Sequence, residues 1–537
     1  MWLTNSFWMR FFVFLILALS LMGCAKRGYI TGGLKDTIPP VIKLSDPKNF
    51  STSFTKKEIK IYFDEYVKLK DLNKQLIVSP PMKNAPDIGP SSATKILTIR
   101  IKDTLVPNTT YSFNFGQSIQ DNNEGNPLSQ FKYVFSTGTY IDSLQLSGTI
   151  SDAFEKKPDN FVTVMLYDYS PTFTDSIVYK QVPRYVTNTL DSSAQFNLTN
   201  LKAGKYLLLA LKDANSNNLF NPKTDKIAFV QDTVTIPSEN TYKLTLFKEK
   251  NNFKALKPTQ ASGNRLLLGF EGDAANSRIS IATGTENIPV ITTPYPKKDS
   301  LQLWFKPLKA DSLQVRIEKE SYEKTFWIKY KTQKSDTLQL SAQQSGTLHF
   351  RETFTLNSTT PIQKMNPELI RLIRKDSTAV PFQTKYHEER QQILFEFDKD
   401  PLEKYTLFVH KGAVTDYLER SNDSLLYRFS TREHSEYGNL KLRLEGVKSF
   451  PFLVELLNNK GDIIATEYSQ NKTEFDFNLL QPNMFTIRII YDENKNGKWD
   501  TGSFLQRRQP EKVYYFPTEI DVRANWDVDQ TLQLPEN

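Results

Sequence analysis

The sequence predicts an all-β protein in which several β-sandwich domains follow one another along the chain. Aromatic residues make up 12% of the 537 residues, and 28 prolines divide the chain into short segments. Many of these segments alternate apolar and polar residues, which is the pattern of half-buried strands. Groups of residues from the first half recur at the same spacings near the end, which indicates duplicated domains. Tandem sandwiches account for all three observations.

The first segment, residues 1–23, is predicted to be a cleaved signal peptide. Arg10 is its only charged residue, an apolar run begins directly after it, and small Gly23 closes the segment. This layout is typical of an export signal. The alternative is an uncleaved membrane-spanning helix, but such a helix needs about 20 apolar residues. The run here is shorter because Arg10 interrupts it.

Cys24 is the only cysteine in the chain. The sequence Leu21-Met22-Gly23-Cys24 resembles a bacterial lipoprotein box. The resemblance implies cleavage before Cys24, a thioether-linked diacylglycerol on its sulfur, and an acyl chain such as palmitate on the new amino terminus. Several acyl chains together hold a protein stably at a membrane. Residues 24–37, mostly small, basic or glycine, are expected to form a flexible tether.

Charge and cysteine content exclude some functions and one source of stability. The formal charge is +8, and loss of Arg10 leaves 67 basic against 60 acidic residues, or +7. Positive charges are interspersed, whereas a nucleic-acid-binding protein concentrates them in a patch. We therefore expect no nucleic-acid partner. With a single cysteine there is no intrachain disulfide, and stability must come from apolar cores.

Residues 38–138 are predicted to form the first sandwich. Segments 59–63 and 97–101 alternate in polarity, and segments 111–115 and 131–137 flank a polar turn. Roughly seven short strands in about a hundred residues suit an immunoglobulin-like sandwich. Three features resemble the bacterial Ig-like domain first described in S-layer proteins: the Asp-x-x-Pro-Pro start at 36–40, the Phe-Asp-Glu at 63–65 and the Phe-Ser-Thr at 135–137. That domain is a structural module with no known catalytic residues.

The pattern changes in the next two stretches. In residues 140–248, a turn containing Gly204 leads into the apolar strand 207–211. This arrangement resembles transthyretin-like or carboxypeptidase-regulatory-like β-sandwiches, in which a glycine turn precedes a buried strand. Residues 253–345 contain further strand patterns and are predicted to form a middle β domain.

The last two hundred residues are predicted to repeat the first pair of domains. Tyr111 and Phe135 are 24 residues apart, as are Tyr405 and Phe429. The second spacing is 17 residues and separates Phe196 from Asp213 and Phe475 from Asp492. The repeat predicts a second Ig-like domain at 346–432 and a second transthyretin-like sandwich at 436–537. We call residues 140–248 the first repeat module and residues 436–537 the second.

Several residue groups extend a family resemblance over nearly the full length: 24–28, 36–40, 121–127, 496–502, 510–515 and 524–527. Taken whole, the chain resembles Bacteroidota Ig-like outer-membrane lipoproteins. The resemblance implies this architecture and a lipid-anchored location at the outer membrane, and it implies no activity. Ala25 suggests release to that membrane, and no acidic run follows Cys24, so the surface and the periplasmic face are both left open.

The sharpest local motif begins at Asp492. Asp492, Asn494, Asn496 and Asp500 occupy positions one, three, five and nine of a loop with Gly497 at six, as in the start of an EF-hand calcium loop. The bidentate Glu expected at position twelve is missing, because Ser503 lies there. The earlier copy, which starts at Asp213, is less complete. Ca²⁺ is the only cofactor that the sequence suggests, and a turn capped by side chains is the alternative.

No residue pattern predicts catalysis. The four histidines have no metal-ligand spacing, and no nucleophile elbow or phosphate-binding loop is present. We therefore predict a non-enzymatic scaffold or protein-binding partner in the cell envelope. The alternative is a carbohydrate-binding or adhesive surface protein, in which aromatic residues near the end of the chain line a groove. The same aromatic residues could instead pack in a core. They are Trp499, Tyr514, Tyr515 and Trp526.

Overall fold

The computed structural model describes residues 36–170, 173–190, 194–296 and 298–535. The signal peptide, Cys24 and most of the tether lie outside these residues. Grouping of Cα positions divides the chain into two compact units: one extends to Thr139, and the other comprises residues from Tyr140 onward together with the short segments Ile77–Pro81 and Thr110–Ser112. No helix within the described residues is long and apolar enough to cross a membrane. The all-β prediction is confirmed.

The strands of the first Ig-like domain form two sheets, with orders β1-β2-β5-β4 (β7 pairs with β2) and β3-β6-β8. The predicted alternation in β2 is confirmed, because Ile59, Ile61 and Phe63 are buried on one face. A single turn of helix, α1 (Leu72–Gln75), precedes β3. The strands are β1 (Ile42–Asp46), β2 (Glu58–Leu69), β3 (Ile77–Ser79), β4 (Asp87–Gly89), β5 (Thr94–Arg100), β6 (Thr110–Asn114), β7 (Ile119–Asp121) and β8 (Lys132–Ser136).

The first repeat module has sheets of order β12-β9-β16 and β11-β10-β13-β14, and β15 also pairs with β13. A 3-10 helix, Asp175–Tyr179, lies between β10 and β11. The strands are β9 (Leu144–Asp152), β10 (Thr163–Asp168), β11 (Tyr185–Asn188), β12 (Gln195–Leu201), β13 (Gly204–Lys212), β14 (Lys226–Phe229), β15 (Val234–Ile236) and β16 (Tyr242–Leu246).

The middle domain also has two sheets, of order β17-β19-β23-β22 (β18 pairs with β19) and β21-β20-β24-β25. Its strands are β17 (Lys254–Ala255), β18 (Thr259–Ser262), β19 (Arg265–Glu271), β20 (Arg278–Thr283), β21 (Glu286–Ile288), β22 (Ile291–Pro294), β23 (Ser300–Trp304), β24 (Ser312–Lys319) and β25 (Tyr322–Lys329).

The second Ig-like domain has sheets β26-β28-β32-β31, β27-β35-β33-β30 and β29-β34. Strand β26 lies before position 346, so its pairing with β28 places residues assigned by sequence to the middle domain in this sheet. The strands are β26 (Leu340–Ala342), β27 (Gly346–Thr347), β28 (Phe354–Ser358), β29 (Ile362–Met365), β30 (Ile370–Ile373), β31 (Gln383–His387), β32 (Gln392–Glu396), β33 (Lys404–Val409), β34 (Val414–Asp416) and β35 (Leu425–Ser430). The 3-10 helix Pro367–Leu369 precedes β30, and another, His434–Glu436, follows the domain.

The second repeat module repeats the sheets of the first, with orders β39-β36-β43 and β38-β37-β40-β41, and β42 also pairs with β40. Even the parallel pairing of the last strand with the first recurs, in β16 with β9 and in β43 with β36. The strands are β36 (Gly438–Glu445), β37 (Phe452–Leu457), β38 (Ile463–Ser469), β39 (Glu474–Leu480), β40 (Asn483–Tyr491), β41 (Val513–Tyr515), β42 (Ile520–Val522) and β43 (Asp527–Gln533). The predicted duplication is therefore confirmed as a shared topology.

Continuous apolar runs in the two repeat modules have a structural cause. Strand β13 is buried at every position from Tyr206 to Leu211, and β40 is buried from Phe485 to Ile490. A strand that faces solvent on one side alternates in polarity, whereas a strand covered on both sides does not. One face of β13 packs into the sandwich core and the other into a second apolar cluster that contains Phe504 of the second repeat module. Most of that cluster belongs to the first repeat module itself, and the second repeat module adds Phe504 to it.

Candidate functional site: the junction of the repeat modules

The candidate functional site lies where the two repeat modules meet, because the motif loop, a large cleft and the inter-module contacts all lie there. The loop that starts at Asp492 follows β40. Asp492 is 1% exposed, and its two carboxylate oxygens accept the backbone amides of Asn496 at 3.0 Å and Gly497 at 2.8 Å. Gly497 has φ +76°, a left-handed conformation that glycine adopts without strain. The start of the loop is thereby fixed by its own first side chain.

The four predicted metal ligands do come together. Asn494 donates its side-chain amide to Asp500 at 2.7 Å, and Asn496 donates to the same carboxylate oxygen. Partial burial raises the pKa of Asp500, but these two hydrogen bonds together with the charges of Lys250 and Lys498 outweigh it, and the net pKa is lowered. The contacts are those expected of the capped-turn alternative.

Glu511 completes the loop and was missed by sequence reasoning. Its carboxylate is 7% exposed and accepts the backbone amides of Glu493 at 2.9 Å and Asp500 at 2.8 Å. Burial raises the pKa of Glu511, while hydrogen bonds from the loop amides act in the opposite direction. Glu511 lies 19 residues after Asp492, not at position twelve, so EF-hand spacing did not point to it.

The corresponding loop of the first repeat module is also held by a buried carboxylate that accepts two of its backbone amides. Asp225 is fully buried and accepts the amides of Ala214 at 3.1 Å and Asn221 at 2.8 Å. These amides occupy loop positions two and nine, like those of Glu493 and Asp500. Asp225 lies 12 residues after Asp213 (225 − 213), against 19 for the second loop (511 − 492), so the second copy carries seven additional residues. We call the ten residues 501–510 the insertion; they correspond to the three residues 222–224 of the first copy.

Calcium binding by the second loop stays a prediction. Among the described residues, no group of three or more His, Cys, Asp or Glu side chains is placed to hold a metal ion. Any Ca²⁺ site here would therefore depend on asparagine oxygens as well as on Asp492 and Asp500. Adding CaCl₂ to EDTA-treated protein separates the two interpretations: a rise in melting temperature that Asp500→Ala abolishes supports a metal site, and an unchanged melting temperature supports the capped turn.

The insertion packs on the first repeat module. Phe504 is fully buried, with its ring centroid 5.4 Å from that of Phe229 in an edge-to-face arrangement. The backbone amide of Phe504 donates to Glu249 at 2.6 Å, and the Thr501 hydroxyl donates to the carbonyl of Lys248, also at 2.6 Å. The insertion thus supplies contacts to the first repeat module.

A second group of contacts surrounds Arg488 on β40. Its Nε donates to Glu455 at 2.5 Å and its Nη1 to the Tyr515 hydroxyl at 2.9 Å. Its guanidinium lies 4.3 Å from the ring centroid of Phe154 in the first repeat module. The Tyr515 hydroxyl donates to the carbonyl of Phe154 at 2.7 Å. Burial lowers the pKa of Arg488, but hydrogen bonds to Tyr515 and Glu455 outweigh it and the net pKa is raised, so the guanidinium stays charged.

The aromatic residues near the end of the chain have different environments. Trp499 lies with its ring centroid 4.8 Å from that of Phe154 and donates its indole N–H to the Glu511 carbonyl at 3.0 Å. Tyr514 packs against Phe516 of the core, with centroids 4.9 Å apart. Trp526 is 48% exposed and is covered in part by Arg523. Trp499 and Tyr515 therefore pack at the junction, and Tyr514 packs against the core of the second repeat module.

The junction also contains a cleft of about 910 Å³. Residues of β9 and β16 from the first repeat module line it, together with residues of β41 and of the loops that flank it in the second. The motif loop borders this cleft through Glu493 and Glu511, which are part of its lining, whereas the four predicted metal ligands are not. The junction therefore combines a buried interface with an open cavity of ligand-binding size.

Comparison with known proteins identifies one domain. Three solved structures share 10–12% identity: the S-layer protein SbsC (90% of this chain, 67% of that chain, TM-score 0.14), E. coli alpha-2-macroglobulin (85% and 33%, TM-score 0.13) and the human Desmocollin-1 ectodomain (92% and 98%, TM-score 0.14). With TM-scores this low, they support no conclusion about function. No curated protein matches the chain. Residues 36–137 match the family described as "Bacterial Ig-like domain", in agreement with the resemblance found in this part of the sequence.

Proposed function

We propose that this chain is a lipid-anchored, non-catalytic protein of the outer membrane that acts as a scaffold or binds another envelope protein. The observation that carries the proposal is the docking of the two repeat modules, which joins distant parts of the chain through buried contacts at Phe504 and Arg488. Rigid β-sandwich arrays present loops and strand edges to partners. The match to a bacterial Ig-like domain supports a surface or binding role.

The hydrogen bonds and ion pairs of the buried charged residues at the junction support a non-catalytic role. Asp225 and Glu511 accept backbone amides, and the charges of Arg488 and Glu455 neutralise one another. In the first Ig-like domain, buried Asp121 accepts three turn amides. A catalytic acid or base needs an oxygen or nitrogen available to substrate, and these side chains use theirs to hold the fold.

Two experiments test the proposal. Co-purification of the full chain from detergent-solubilised membranes is expected to recover a protein partner in fixed stoichiometry, and repeated recovery of the chain alone would count against a binding role. Mass spectrometry of the amino-terminal peptide is expected to show a diacylglyceryl modification on Cys24. A free thiol there would contradict the lipid anchor.

The carbohydrate-binding alternative is weakened by the position of Trp499, whose indole N–H and ring are both used at the junction. Trp526 is the exposed aromatic residue of the same group. A glycan array with wild-type protein and Trp526→Ala tests this alternative, which requires binding that the substitution removes.

A further inference from the structure

The junction cleft has a positive balance of charge. Three lysines line it, Lys243 from the first repeat module and Lys448 and Lys512 from the second, and all three are exposed. Among the described residues, none of their ammonium groups takes part in an ion pair or a side-chain hydrogen bond. Lysines without acidic neighbours attract negatively charged groups.

The acidic residues of the cleft do not cancel this charge. Asp152 forms an ion pair with Lys226 at 2.7 Å, and its other oxygen accepts two backbone amides. Both oxygens of Glu511 accept amides of the loop. Among the described lining residues, only Glu493 presents an exposed carboxylate, against the three exposed lysines.

Strand edges also border the cleft. Within the described residues, β41 is the last strand of its sheet and β16 the last strand of another. Tyr491 donates its amide to the Lys512 carbonyl, and Phe516 donates to Ile487, so Lys512 and Phe516 bond toward β40. Because backbone groups alternate along a strand, the N–H and C=O of Val513 point away from β40.

The same alternation applies to β16. The backbone groups of Phe247 bond to Ile227 of β14. The groups of Lys243 and Thr245 therefore point to that same side, away from β9. Strands β41 and β16 thus each present backbone donors and acceptors with which another strand could pair. These groups lie near the lysine side chains of the cleft.

We propose that the junction cleft binds an extended, acidic peptide segment of a partner protein, which pairs with the edge of β41 and places its carboxylates against Lys243, Lys448 and Lys512. This deepens the proposed function and rests on it. Addition of a strand to a free edge gives affinity through main-chain hydrogen bonds, and side-chain charge gives specificity. A cleft of about 910 Å³ lies within the range of cavities that enclose ligands.

The test measures binding of a fluorescent heptapeptide of alternating glutamate and valine to the full chain by fluorescence anisotropy. A peptide of alternating lysine and valine and a polygalacturonate oligosaccharide are measured beside it. The variant Lys243→Glu/Lys448→Glu/Lys512→Glu is expected to weaken binding at least tenfold, since like charges then oppose the peptide, to about the level of nonspecific contact. The matched control Lys205→Glu/Lys334→Glu/Lys460→Glu changes three exposed lysines outside the cleft lining and is expected to bind like wild type.

A backbone variant tests the strand-edge part separately. Proline is tolerated on an edge strand where the N–H faces outward, so Val513→Pro is expected to keep the fold while it weakens peptide binding about tenfold; Val513→Ala is the control. Equal binding by the cleft and control lysine variants would overturn the proposal, as would binding of polygalacturonate in place of the peptide. If the cleft variant still co-purifies with a membrane partner, the cleft proposal fails while the proposed function stands.

Discussion

Arg507 in the insertion forms an ion pair with Asp175, which begins the 3-10 helix of the first repeat module, 332 residues earlier. Its Nε donates to Oδ2 at 3.0 Å, and its Nη2 donates to Oδ1. The guanidinium also lies 5.0 Å from the ring centroid of Phe504 and 5.6 Å from that of Phe229. One side chain thus joins the polar and the apolar contacts of the junction.

Phe504→Ala is expected to loosen the insertion. Removing a fully buried phenylalanine ring costs about 3–5 kcal/mol where the site cannot collapse. The expected result is faster proteolysis within residues 501–510 and faster amide exchange in the 3-10 helix Asp175–Tyr179. Leu505→Ala is the control, because Leu505 is 59% exposed and its loss should change neither rate. Unchanged proteolysis of the Phe504 variant would contradict the docking.

Gly502→Ala tests how closely the insertion packs against the first repeat module, because it adds a methyl group and removes no contact. A Cβ at position 502 would lie 2.7 Å from the carbonyl oxygen of Arg508 and from Cζ of Phe247 in the first repeat module. Atoms at that distance must move apart, so the melting temperature of the full chain is expected to fall. Gly461→Ala has open space around its Cβ, but its φ of +84° adds backbone strain. Amide hydrogen exchange at the junction distinguishes the two variants, because only Gly502→Ala is expected to accelerate it.

The effects of substituting Arg488 and Glu455 on the free energy of unfolding are expected to be strongly coupled. Both side chains are less than 10% exposed, and breaking a buried ion pair by removing one partner costs about 3–5 kcal/mol. Arg488→Met should therefore be strongly destabilising in urea unfolding. The double variant Arg488→Met/Glu455→Leu should recover most of the loss, because it leaves no unpaired buried charge. A double variant as unstable as the single one would contradict this account of the cluster.

Asp121 gives the first Ig-like domain a dependence on pH. Its burial raises its pKa, but hydrogen bonds from the amides of Asn126, Glu124 and Gly125 outweigh it, and the net pKa lies below the ordinary 3.8. A lowered carboxyl pKa contributes stability that is complete above pH 3.8 and is lost as the pH falls through the folded value. Asp121→Asn is expected to cost about 1–3 kcal/mol at neutral pH. The cost should shrink below pH 3.8, measured as amide exchange in residues 119–128. A cost independent of pH would contradict the assignment.

Much of the fold follows from the sequence, and particular residues show where prediction stops. Alternation in β2 and equal spacings such as Tyr111–Phe135 and Tyr405–Phe429 predicted the sandwiches and their duplication, because strand periodicity is a local property. The docking was not predicted, since Phe504 and Arg507 lie in a polar loop without periodicity. Their burial depends on a surface that is distant in the sequence. Glu511 was missed for a similar reason: only the structure aligns it with Asp225 across the additional seven residues.

A double-mutant cycle on Arg507 and Asp175 tests most directly the central claim that the two repeat modules form one docked platform. The variants are Arg507→Ala, Asp175→Ala and their combination in the full chain, with unfolding free energy of the junction measured by amide exchange. We predict a coupling energy of about 0.5–3 kcal/mol, as found for residues in contact. Additivity of the two substitutions within about 0.3 kcal/mol would show that the residues do not interact, and would contradict the docking.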